Sequence, residues 1–159
     1  MNTPTDQQPM LSPTQYLAHW QGHRSLTRRI IEAFPDDQLF GFSATEPMRP
    51  FGAMAWELQL ISEMTMRGLT SENWESPDWN RPPDKTILLS AWDALTEEIN
   101  QQFTSIPLEQ YHKNYTLEWG EMTGLTVLLY NIDNEIHHRG QGYVYLRLLG
   151  IEPPFFHER

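Results

Sequence analysis

The 159-residue chain contains no cysteine. Disulfides, thiolate nucleophiles, zinc–thiolate sites and iron–sulfur clusters are excluded together, so any chemistry falls to His, carboxylates, amides and hydroxyls. Basic residues are scarce as well: 11 Lys and Arg stand against 21 Asp and Glu, for a formal net charge of -10. Phosphate-backbone affinity needs a concentrated basic surface. Arg24, Arg28 and Arg29 are the only basic cluster, so no nucleic-acid partner is expected. No apolar run approaches the roughly 18 to 20 residues of a membrane span. The opening MNTPTDQQPMLSP has neither the basic region nor the apolar core of a secretory signal. The expectation is a cytoplasmic protein with no membrane partner.

Aromatic residues are abundant, with six Trp, six Tyr and seven Phe, a load that disordered acidic chains do not carry. The chain should therefore bury a core. Residues 1–11 are polar and proline-bearing and read as a flexible tail, leaving one domain over 12–159. Ser12-Pro13-Thr14-Gln15 is a helix start, with Ser12 as N-cap, Pro13 at the first helical position and Gln15 closing a capping box. Tyr16, Trp20, His23, Thr27, Ile30, Ile31 and Phe34 follow at helical spacing until Pro35, giving a first helix over about 13–34. A second helix, 49–67, opens near Pro50, carries Met54, Glu57, Leu58, Ile61 and Met64 on one face, and is expected to end at Gly68.

The stretch 70–85 reads as a long connection whose Trp74 and Trp79 pack on the other helices. A third helix is expected over 86–103, then a connection over 104–120 with short extended pieces, then a fourth helix from a Thr123 cap to Leu149. The fold class is all-α, a four-helix bundle with long connections.

The densest cluster of polar side chains is Asn134-Glu135-Ile136-His137-His138-Arg139-Gly140-Gln141. On a helix Asn134 and His138 lie one turn apart on one face, and His137 points about 100° away. Spacing alone fits either a hydrogen-bonded core histidine or a ligand. Glu57 falls within the apolar face of the second helix, where a carboxylate is costly unless paired, protonated or bound to a cation. His19 and His23 form another i, i+4 pair, chemically suited to a metal but with no third ligand nearby in sequence.

His137-His138-Arg139-Gly140-Gln141, followed by Tyr145-Leu146-Arg147, Leu149-Gly150 and Pro153-Pro154, resembles the closing helix of the DinB family of four-helix bundles. Met48-Arg49 and Phe51-Gly52 resemble the opening of that family's second helix. The resemblance implies an up-down-down-up bundle, a homodimer, and a divalent metal held by three histidines that supports thiol transfer, isomerisation or hydrolysis of a small-molecule substrate. The three ligand positions fall here on Glu57, Asn134 and His138, with Trp56, Tyr130, His137 and Gln141 as pocket neighbours. Two of the three are not histidine. Such a set can hold nickel, zinc or manganese through a carboxylate, an amide and one imidazole. Alternatively, Glu57 bonds His138 directly or through Asn134 in a metal-free polar network, which would suit a non-enzymatic, dimeric ligand-binding or stress-response protein.

Overall fold

A computed structural model describes residues 11–80 and 84–159; all but the last residue of the expected N-terminal tail lies outside them. Helix α1 spans Pro13–Ala33 and is closed by the expected capping box. Ser12 Oγ accepts from the Gln15 amide at 3.2 Å and Gln15 Oε1 from the Ser12 amide at 2.9 Å. The segment after Pro35, read as a loop, forms a four-residue helix, α2 (Asp36–Leu39), whose acidic Asp36 and Asp37 suit a helix N-terminus.

Helix α3 (Phe51–Ser71) runs a turn beyond the expected stop. Gly68 does not cap it. The Trp74 ring lies on Gly68 and leaves no room for a Cβ, so this glycine serves close packing inside the helix. The chain turns instead at Glu72, in the left-handed region at φ 57°, with its amide donating to Gly68 O at 2.9 Å. Trp74 also meets Tyr115 at 4.7 Å between ring centroids.

Helix α4 (Lys85–Gln102) starts at Asp84, whose carboxylate accepts from the Ile87 amide at 2.9 Å. A single 3₁₀ turn, Phe103–Ser105, leads to the short helix α5 (Leu108–His112). The extended pieces expected before residue 120 are one hairpin, β1 (Asn114–Leu117) against β2 (Gly120–Thr123), antiparallel with Asn114 opposite Thr123 and Leu117 opposite Gly120. Helix α6 (Gly124–Leu148) follows, capped by Thr123 as expected.

Cross-helix bonds fix the directions of the four long helices. Tyr16 reaches Leu128 near the start of α6, and His23 and Thr27 meet Arg139 further along, so α1 and α6 run parallel. Lys85 reaches the Phe34 carbonyl while Gln21 reaches Thr96, so α4 runs against α1. Phe51 packs on Gly142 while Ser62 and Thr65 bond Asn131, so α3 runs against α6. The bundle is up-down-down-up.

Its apolar core falls into two clusters. Tyr16, Trp20, Leu69, Ile99, Phe103 and Val127 anchor one end; Ile30, Phe34, Phe51, Trp92, Tyr145 and Leu146 anchor the other. Between them lies a buried polar waist containing His23, Arg24 and Thr27 from α1, Gln59, Ser62 and Thr65 from α3, and Asn131, Asn134, Glu135, His138 and Arg139 from α6.

Candidate functional site

Two i, i+4 pairs on α6, offset by one residue, divide the waist. A helix turns about 100° per residue, so Glu135 and Arg139 face α1 while His138 faces α3. On the α1 side, Thr27 Oγ1 donates to Glu135 Oε1 at 2.5 Å, and Arg139 donates to Thr27 Oγ1 at 3.1 Å and the His23 carbonyl at 3.2 Å. Arg139 Nη2 lies 2.9 Å from His23 Nδ1, and Arg139 Nη1 3.6 Å from Glu135 Oε1. A guanidinium can only donate, so His23 Nδ1 must accept and the ring must be neutral. Burial, reinforced by Arg139, accordingly pushes the His23 pKa down to about 4. Arg24, fully buried, donates to Thr96 Oγ1 at 3.0 Å and the Trp92 carbonyl at 2.9 Å, and stacks 4.2 Å from the Trp92 ring centroid.

On the α3 side, Glu57 lies between two cationic or polar partners. Its Oε1 is 3.4 Å from His138 Nε2 and its Oε2 is 2.5 Å from Arg49 Nη1. These contacts, His138 first, hold the Glu57 carboxyl down to about 2 against the opposing effect of burial. Asn134 is buried one turn before His138, yet neither its amide nitrogen nor His138 Nδ1 has a hydrogen-bond partner. Buried groups left in that state cost about 1–3 kcal/mol each.

Glu57 also borders a cavity of about 550 Å³, lined by Arg49, Ala53, Trp56, Leu60, Ile61, Trp79, Glu118, Trp119 and Tyr130. That volume is within the range of small-molecule sites. The Tyr130 phenol is raised in pKa by burial and by the Glu57 charge.

Of the residues singled out in sequence, Glu57 and His138 meet directly, Asn134 stands a turn away, and Trp56 and Tyr130 share the cavity with Glu57. His137 and Gln141 do not line it: their side chains bond each other at 3.0 Å on the exposed side of α6, although the His137 ring still abuts His138 at 5.0 Å between centroids. His19 and His23 approach at 3.2 Å, but the His23 Nδ1 lone pair is taken by Arg139 and Nε2, which then carries the ring proton, faces His19 Nε2, so His23 has no free lone pair for a metal. Arg49, Trp79, Glu118 and Trp119 were not anticipated. Arg49 had a faint signal in its motif; the others are brought in by loops whose placement no local pattern encodes. Glu135 and Arg139 show the spacing of a helical ion pair, which by itself suggests solvent.

The metal implied by the resemblance fits this donor set poorly. Only one imidazole remains, and the Arg49 guanidinium already supplies positive charge at the Glu57 carboxylate, where a divalent ion would be repelled. Among the described residues, no three His, Asp, Glu or Cys side chains gather as a metal-holding group.

The sequence model of the DinB family matches residues 1–159, and the chain belongs to that family. It is 26% identical over 156 residues to "Uncharacterized protein YjoA" of Bacillus subtilis (strain 168), covering 94% of this chain and 99% of that protein. The crystal structure of that DinB-like protein superimposes with a TM-score of 0.73 at 25% identity, covering 91% of this chain and 99% of its own. A DinB-like protein from Bacillus cereus has the same fold, with a TM-score of 0.66 at 21% identity over 89% of this chain and 95% of its own.

Proposed function

We propose that this DinB-family chain binds a small molecule in the cavity beside Glu57, and that an Arg49–Glu57–His138 cluster replaces the metal centre its fold otherwise suggests. The observation that carries this reading is the Arg49 guanidinium 2.5 Å from the Glu57 carboxylate at the cavity wall. With that cation in place the carboxylate is neutralised by the protein itself. His138 turns Nε2 to Glu57 and keeps Nδ1 buried, so it orients Glu57 and is not a free base for substrate. Elemental analysis of untagged protein, before and after exposure to nickel, zinc and manganese and desalting, tests the proposal. Metal well below stoichiometric under every condition is expected. Near-stoichiometric metal that disappears in His138→Ala would overturn it and restore metal-assisted transferase or hydrolase chemistry.

The same reading includes a homodimer formed through α6. Leu125, Leu129, Ile136, Val144 and Leu148 recur along its outer face and are each 39% or more exposed. A stripe of this length on one helix suits a two-fold contact with its own copy. Light scattering should give a dimer for the native chain and a monomer for Ile136→Glu.

A further inference from the structure

Three of the six tryptophans converge on the cavity from separate segments: Trp56 from α3, Trp79 from the connection after α3, and Trp119 from the turn between β1 and β2. Tyr130 of α6 completes the aromatic lining. Every one of the three indole N–H groups is already committed to the scaffold. Trp56 donates to the Asn80 carbonyl, Trp79 to Ser76 Oγ at 3.3 Å, and Trp119 to Met122 Sδ at 3.3 Å. What these residues have left to offer a ligand is ring surface, and Trp79 and Trp119 remain 48% and 45% exposed. An aromatic face carries negative electrostatic potential and attracts cations, most strongly alkylated ammonium groups that shed their hydration easily.

The charges around the cavity point the same way. Among the described lining residues, Arg49 is matched by Glu57, which leaves the Glu118 carboxylate as the surplus charge. Ser76 Oγ donates to Glu118 Oε2 at 3.1 Å, tying the Trp79 segment to the hairpin turn and holding the carboxylate at the cavity wall. Among the described residues, the one cation in this wall is Arg49, for which an anionic ligand would have to compete with Glu57, and a neutral polar ligand would find the indole donors already used.

We propose that the cavity binds an organic cation, a small molecule with a quaternary or tertiary ammonium group held against Trp79 and Trp119 beside Glu118. Its apolar remainder packs on Ala53, Leu60 and Ile61. The assignment rests on the cavity being a ligand site and adds the chemical class of the ligand.

Titration of the full chain with benzyltrimethylammonium, benzyl alcohol and phenylacetate, followed by tryptophan fluorescence and calorimetry, tests it. The cation should bind about tenfold more tightly than the alcohol, the advantage expected for more than one cation–aromatic contact. Trp119→Leu and Trp79→Leu should each weaken the cation about fivefold and change the alcohol less than about twofold, while Glu118→Gln weakens the cation about threefold. Helical circular dichroism checks that each variant is folded. Equal or tighter binding of the alcohol or phenylacetate would overturn the cation assignment while leaving the cavity a ligand site. Absence of binding by all three probes would overturn both.

Discussion

The Glu135/Arg139 and Asn134/His138 pairs differ by one position along α6, yet they sit in opposite circumstances. The first is enclosed by α1, and its charges are answered by Thr27, His23 and each other. The second meets α3 beside a cavity, where His138 contacts Glu57, itself paired with half-exposed Arg49, and it leaves Asn134 Nδ2 and His138 Nδ1 unsatisfied. A saturated cluster resists change because every member is needed to keep another charge compensated. A cluster with free capacity can exchange partners, which is what a binding site requires. One helix thus carries an enclosed face and a cavity-side face about 100° apart.

The largest effect should come from opening the enclosed side. Glu135→Ala leaves Arg139 and Arg24 buried with less compensation, at about 3–5 kcal/mol, and thermal denaturation should show a melting temperature lower by roughly 6–20 °C. If the loss is no greater than for His138→Ala, the contrast between the two faces fails.

Acid titrates the same side. The folded state holds His23 neutral, with a pKa of about 4 against 6.5 for the free group, so the unfolded chain binds the extra proton between those values. The stability that depends on neutral His23 is complete above pH 6.5 and drains as pH falls toward 4, by up to about 3 kcal/mol. Urea denaturation across this window should show the slope, and His23→Gln, which keeps an acceptor for Arg139 but cannot titrate, should flatten it.

The cavity side should yield smaller losses. His138→Ala is expected to cost about 1–2 kcal/mol, or several degrees, because Glu57 keeps Arg49 and can be reached by water. Glu57→Gln should cost about 1 kcal/mol or less at pH 7, since half-exposed Arg49 is screened. That difference from the native chain should fade as pH drops from 4.5 toward 2, the window in which Glu57 takes up its proton. A Glu57→Gln loss comparable to that of Glu135→Ala would place the structural weight on the wrong side of α6.

The four long helices were legible because their signals are local. The Ser12 capping box, Thr123 and Pro35 mark ends that tertiary packing did not move, and Glu57 and His138 could be placed by register on their helices. Gly68 was misjudged because a glycine suits both a helix end and the underside of a ring, and only Trp74, six residues on, decides between them. Glu135 and Arg139 have the spacing of a solvated ion pair; their burial depends on His23 and Thr27, more than a hundred residues away. The gathering of Trp79 and Trp119 depends on loop paths, for which periodicity carries no information.

The parallel pairing of α1 with α6 joins the first and last long helices through bonds spanning 108 to 116 residues. Closing a loop of that length costs several kcal/mol of chain entropy before any contact repays it. Desolvated Arg139 and Glu135 find their partners only after α1 arrives, so an early intermediate built on α3, α4 and α6 alone must leave these charges in water. Substitutions in the enclosed cluster should therefore chiefly accelerate unfolding and leave the folding rate nearly unchanged, which stopped-flow refolding and unfolding in urea would check.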